Sequence, residues 1–239
     1  MKHYLLCAAL AITAVFSSCM FSGERIDGNG NTKSETRNVT NTSKIKVQGD
    51  VDVLLQSGPA AVRVEADENL IPYIETRVEG GWLTVKTKDN ANLNSSNPIT
   101  VYITTPDISD LSVSGSGNIT GNSKFSLNND MSFQVTGSGD ITVAVNAPKI
   151  EASITGSGNL HLTGETKDID IHITGSGNYD GPDLKAENAE VSVTGSGDAS
   201  LYADAHLEAS IMGSGNVKYR GNATVDTHVT GSGTVNKIQ

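Results

Sequence analysis

Aromatic residues are scarce in this chain. Its 239 residues hold 4 Phe, 6 Tyr and 1 Trp, so any core has to be assembled from aliphatic side chains. Cysteine is nearly missing as well. Of Cys7 and Cys19, the first lies in an apolar leader, so the processed chain keeps one thiol and can form no internal disulfide. Packing and backbone hydrogen bonds must then hold a body of this length, which is enough to bury a sizeable core. There is no run of the roughly 20 apolar residues needed to cross a membrane as a helix. Tyr4–Phe16 spans only thirteen. Positive charge is also short, with 17 Lys and Arg against 27 Asp and Glu, a formal charge of −10 that becomes −11 once Lys2 leaves with the leader. That balance excludes nucleic acid and anionic headgroups as partners and admits cations or basic proteins.

The leader reads as a signal peptide over residues 1–18. Lys2 and His3 form its n-region, Tyr4–Phe16 its apolar stretch, and Ser17 and Ser18 lead into Cys19. This ending resembles a bacterial lipobox, with Phe16 where Leu is usual. The resemblance implies that Cys19 is acylated and anchors the protein to a membrane. Ordinary cleavage near Ser18 is the alternative. Residues 19–43 are polar and read as a flexible tether, which would span about 25 Å root-mean-square.

What the chain does have is glycine (25 residues) together with abundant Thr, Ser, Val and Ile, a profile of strands broken by turns. The glycines repeat. Gly-Ser-Gly occupies Gly115 to Gly117, Gly137 to Gly139, Gly156 to Gly158, Gly175 to Gly177, Gly195 to Gly197, Gly213 to Gly215 and Gly231 to Gly233, at intervals of 22, 19, 19, 20, 18 and 18 residues. Next comes Asn118, Asp140, Asn159, Asn178, Asp198, Asn216 or Thr234. Two residues before each tripeptide stands Val113, Val135, Ile154, Ile173, Val193, Ile211 or Val229. The upstream segments alternate apolar and polar, the period of a half-buried strand.

Eighteen to twenty residues make one coil of a parallel β-helix, in which identical positions stack about 4.8 Å apart. The expected fold is an all-β, single-stranded parallel β-solenoid of about seven coils over residues 107–239. Crossover handedness predicts a right-handed coil. The Ile/Val column becomes the core, and the Asn/Asp column a hydrogen-bonded ladder. An antiparallel sandwich would explain short strands but not seven near-identical corners. Residues 44–106 are strand-rich but less regular and read as an N-terminal cap. Within them Ile45–Leu55 resembles a degenerate first coil, and Gly80-Gly81 predicts a hairpin turn. No cap is evident at the other end, which leaves a homodimer through the C-terminal coil open.

The recurrent V-x-V-T-G-S-G-N-[ILV], the upstream V-Q-G-D-V-D-V and E-G-G-W-L-T-V resemble the head GIN domain family of auto-transporter adhesins, over roughly Val39 to Gln239. The resemblance implies a right-handed β-solenoid on an exported lipoprotein of the cell envelope, in the outer membrane. It also implies adhesion, by fold-level analogy, and brings no catalytic residues.

Little in the sequence points to catalysis. Gly-Ser-Gly lacks the spacing of a dinucleotide loop and of a nucleophile elbow, and its recurrence in every repeat marks it as a structural corner. His161, His172, His206 and His228 read as surface residues. His172 and His228 share a column three coils apart. No cofactor is implied. A calcium roll would need a carboxylate at every corner, and only Asp140 and Asp198 supply one. Five residues before each tripeptide, however, stand Asp110, Ser132, Glu151, Asp170, Glu190, Glu208 and Asp226. This column is either a solvated face or a surface for cations, a basic protein or a glycan. Glu151, Asp170, Glu190, Glu208 and Asp226 are the candidate calcium ligands. The functions in play are a non-catalytic binding or adhesion module, a rigid spacer in the periplasm, and, remotely, a carbohydrate-active β-helix enzyme.

Overall fold

Alternation of period two puts every second side chain on one face of a strand, and a strand with one apolar face must bury it. The computed structural model describes residues 24–40 and 42–238. It shows how that burial is achieved: the chain coils, and each coil lays two strand segments on the coil before it. Cys19 and the leader lie outside the described residues.

From Asp110 onward the coils follow sequence order. They comprise β10 (Asp110–Gly115), β11 (Ile119–Ser126), β12 (Met131–Gly137) and four long strands that run on around the turn. These are β13 (Asp140–Gly156), β14 (Asn159–Gly175), β15 (Asn178–Gly195) and β16 (Ala199–Gly213); β17 (Asn216–Arg220), β18 (Thr224–Gly231) and β19 (Thr234–Lys237) complete the series. All pair in parallel, and the register sets glycine on glycine: Gly115 on Gly137, then Gly156, Gly175, Gly195, Gly213 and Gly231. The β-solenoid read from the repeat is thus the fold. Register shifts fall at Thr120/Lys124, His161/Gly164 and Gly181/Lys185, in the part of the coil where the repeat length varies.

The core is the Ile/Val column with its neighbours: Val113, Val135, Ile154, Ile173, Val193 and Ile211 are each 0–1% exposed. Burying one such side chain stabilises by about 1.5–3 kcal/mol, and the gain repeats in every coil. Where the column six residues before the tripeptide turns polar, at Ser109, its hydroxyl meets that of Ser43 at 3.0 Å.

Residues 44–106 are more than a cap. β3 (Lys44–Gly49) pairs in parallel with β10, and β4 (Asp52–Ser57) with β11, so the degenerate first coil is a true one, with Gly49 in the corner column. Beyond it lie β7 (Trp82–Thr87), paired in parallel with β3, and β9 (Thr100–Thr105), paired with β4. The chain thus adds a layer below its first coil before returning to add β10 above it. Antiparallel strands close that end: β6 (Ile74–Glu79) on β7, β5 (Ala61–Asp67) on β9, and β2 (Thr32–Arg37) on β5. Gly80 and Gly81, both at positive φ, form the expected hairpin turn between β6 and β7.

The tether reading of 19–43 needs correction in its described part. β1 (Glu24–Asp27) pairs in parallel with β8 (Ala91–Asn94), and β2 is a full edge strand. Their side chains are mostly exposed. These strands are held by backbone pairing and polar side chains, so no apolar alternation marks them in the sequence.

Candidate functional site

Each Gly-Ser-Gly corner is built from two glycines against which the coil below packs closely, and the first has a backbone requirement as well. Gly156 has φ +117, a region that L side chains rarely adopt. Gly158 has no such φ, but a Cβ there would overlap the carbonyl oxygen of Gly139 and the Cγ1 of Val135 in the coil below. The first glycine's carbonyl accepts two N–H groups from the next coil. Gly137 O takes Ser157 N at 2.8 Å and Gly158 N at 3.0 Å, a pattern that recurs from Gly49 to Gly213. The serine side chains between the glycines are exposed.

Beside the corners runs the Asn/Asp ladder, continuous through the described coils. Asn118 Nδ2 donates to Asp52 at 2.8 Å, Asp140 N to Asn118 at 3.0 Å, and Asn159 Nδ2 to Asp140 at 2.9 Å. Asn178 Nδ2 then donates to Asn159 at 2.9 Å, Asp198 N to Asn178 at 3.0 Å, Asn216 Nδ2 to Asp198 at 3.0 Å, and Thr234 Oγ1 to Asn216 at 2.8 Å. No two aspartates are neighbours in this column, so every carboxylate faces a donor and none faces its like.

The outward face of the strands that precede the corners is the candidate binding surface. Three columns compose it. The middle one holds Ser112, which is itself buried, then Gln134, Ser153, His172, Ser192, Ser210 and His228, and the one next to the corner holds Ser114, Thr136, Thr155, Thr174, Thr194, Met212 and Thr230. The third is the acidic column, stacked in register from Asp110 through Ser132, Glu151, Asp170, Glu190 and Glu208 to Asp226. Its repulsion is relieved in places. Lys149 Nζ lies 2.6 Å from Asp170, and that hydrogen bond holds the ammonium pKa above its usual value. Lys44 Nζ lies 3.1 Å from Asp110. The calcium reading of Glu151, Asp170, Glu190, Glu208 and Asp226 is not met by this geometry. Stacking sets the carboxylates in a line one coil apart, and among the described residues no three His, Cys, Asp or Glu side chains gather where they could hold a metal ion.

Basic residues are few and scattered along the sequence. The fold gathers several of them. β3 and β7 continue the same three columns below Asp110, placing Lys44 on Trp82, Lys46 on Thr84 and Gln48 on Lys86. Lys46 Nζ stands 4.8 Å and Lys44 Nζ 5.7 Å from the Trp82 ring centre, within range of cation–π attraction. Beside them, where the turn after β7 replaces a Gly-Ser-Gly corner, lies an open groove of about 680 Å³ lined in part by Gln48, Asp50, Lys86, Lys88, Asn92 and Ser116. The surface is therefore bipolar, with a tryptophan and lysines at one end and carboxylates along the rest. Only the alternating K-I-K-V-Q and W-L-T-V-K could have signalled this, and nothing in them says that the two segments stack.

His172 and His228 lie three coils apart in one column, as the spacing predicts. His161 Nδ1 is 2.9 Å from Asp180, one coil on, near the starts of β14 and β15. Tyr179 takes an aliphatic position and is 2% exposed; its hydroxyl, pushed up in pKa by burial and then by Asp180, has no protein partner among the described residues.

The family model described as "Putative auto-transporter adhesin, head GIN domain" matches residues 41–223. The chain belongs to this family. Its fold recurs in a "putative adhesin" from Bacteroides fragilis, 20% identical, with a TM-score of 0.83 over 89% of this chain and 100% of the other. Two proteins of Parabacteroides distasonis are similar as well. One, called a "putative lipid binding protein", is 27% identical, and the other, called a "putative adhesin", is 28% identical; each has a TM-score of 0.72 over 90% of this chain and 100% of its own. A comparison with the curated proteins finds no match. The family points to a binding protein of the cell envelope.

Proposed function

We propose that this chain is a non-catalytic binding module of the cell envelope, held to the outer membrane by a lipid on Cys19, and that it engages an extended polymer, a glycan or a protein segment, along its three-column face. The observation that carries this reading is the continuity of that face. Polar side chains repeat at the coil spacing of about 4.8 Å and lead into Trp82, Lys44 and Lys46 beside a groove. Flat periodic rows suit a periodic partner, and an aromatic ring with cations beside it can stack on a sugar or pair with an acidic group. The rows stand on paired strands, so little ordering entropy opposes binding.

Glycan and peptide arrays probed with the soluble protein test the reading. Binding should appear and should fall at least tenfold, by about 1.4 kcal/mol, when Trp82 and Lys46 are both changed to Ala. Retained binding in that variant would remove the face from the proposal. No binding to either array, together with protection of the protein from protease added to intact cells, would favour the periplasmic spacer instead. The anchor has its own test: Cys19→Ser should free the protein from membranes and abolish labelling by a fatty-acid analogue.

A further inference from the structure

The two ends of the stack are finished in opposite ways. At the N-terminal end the outermost strands, β2 and β6, each pair on one side only among the described strands, and both carry alternating charge: Lys33, Glu35 and Arg37 on one, Glu75, Arg77 and Glu79 on the other. Charge of this kind keeps a further strand from adding to a sheet edge. The other end has no such guard along its main strand. β18 pairs only with β16, and β19 only with β17, among the described strands. β18 reads T-V-D-T-H-V-T-G, with no lysine, arginine or proline. Its core position Val229 is 41% exposed, whereas Ile211 and Val193 in the same column are 1% exposed.

We propose that a second copy of this chain seats on this edge, with the two β18 strands antiparallel about a twofold axis at Thr227. The sequence of the strand selects the register. To keep apolar side chains on the core side of both copies, an antiparallel pairing must match odd-numbered residues with odd-numbered ones. Three such registers near the middle of β18 do so. One sets Asp226 against the partner's Asp226, and another sets His228 against the partner's His228. The third, centred on Thr227, sets Val225 against the partner's Val229 and Asp226 against the partner's His228, each twice by symmetry. It alone joins apolar to apolar and acid to imidazole at once. The other groups near these two are His206, whose Nε2 is 3.9 Å from Asp226, together with Glu208 and Ser210 one coil below. Rotation about an axis normal to the sheet leaves both cores on the same side, so Val225 and Val229 become interior and the apolar column runs on from one solenoid into the next. The surface proposed to bind a polymer would double in length.

A charge exchange tests this with a readout that a purely local role would not give. Sedimentation equilibrium of the mature protein carrying Cys19→Ser should show a monomer–dimer equilibrium. His228→Asp sets carboxylate against carboxylate, and Asp226→His sets imidazole against imidazole. Each should weaken the dimer by about tenfold or more, with unchanged circular dichroism to show that the solenoid is intact. The double exchange Asp226→His with His228→Asp restores unlike pairs and should restore the dimer. A wild-type protein that stays monomeric, or a double exchange no better than either single one, would overturn the proposal.

Discussion

The second glycine of each coil corner and the glycine pair of the cap hairpin do different work. In the corners the second glycine is needed because another backbone lies against it: a Cβ on Gly139, Gly158 or Gly177 would meet the carbonyl of the corner glycine one coil below. In the cap, Gly80 and Gly81 have positive φ and nothing within 4 Å of an added Cβ. The second corner glycine therefore serves close stacking, and Gly80 and Gly81 serve turning. A parallel stack leaves each residue hemmed in by its own copies, whereas a hairpin turn projects into solvent.

The largest expected effect follows from that difference. Gly158→Val should lower stability by about 3 kcal/mol or more, because neither backbone carbonyl nor Val135 can move without disturbing its coil. Gly81→Asn, which keeps a residue able to adopt positive φ, should cost within about 1 kcal/mol. A thermal melt monitored by circular dichroism compares the two, and equal losses would erase the distinction.

The cap has its own interior tie, unlike anything in the coils. Asp67 is inaccessible to solvent and accepts hydrogen bonds from Asn97 Nδ2 at 2.5 Å, Ser96 N at 2.8 Å and Ser95 Oγ at 3.3 Å. The Asn97 bond, then the Ser96 bond, hold its carboxyl below the ordinary value of 3.8. A carboxylate with a lowered folded pKa adds stability above the unfolded value, and that stability is lost as pH falls through the folded one. The expected result is a melting temperature that drops by several degrees in Asp67→Asn at neutral pH. The gap to wild type should close below pH 3.8, as a pH series of melts would show.

Smaller effects belong to the coils. Asn159→Ala removes the donor to Asp140 and the acceptor for Asn178 on an exposed corner, and should cost about 1 kcal/mol. Tyr179→Phe should act in the opposite direction. It removes a buried hydroxyl with no protein partner among the described residues and should stabilise by about 1 kcal/mol. Denaturant titration resolves both, and a destabilised Tyr179→Phe would mean that the hydroxyl is satisfied.

Some of the site could be read directly from the repeat. The acidic column and the Asn/Asp ladder were legible because residues at the same phase of successive coils become neighbours, so counting back or forward from each tripeptide places them. The lysines near Trp82 were not legible, since Lys46 and Trp82 meet only because β7 slips beneath β3. Residues 24–37 gave no strand signal because their side chains stay in water.

By itself the sequence determined the coil, the corner and the aliphatic core of residues 107–239. A period repeated seven times admits one economical stacking, and each local preference agrees with it. The tertiary structure alone decided the order of layers at the N-terminal end, the partners of β1 and β2, and the tie at Asp67. Those pairings join unlike segments that are far apart in the chain, as Asp67 is from Ser96 and Asn97. No local pattern encodes them. They are selected by which strand is left to cover the open end of the stack.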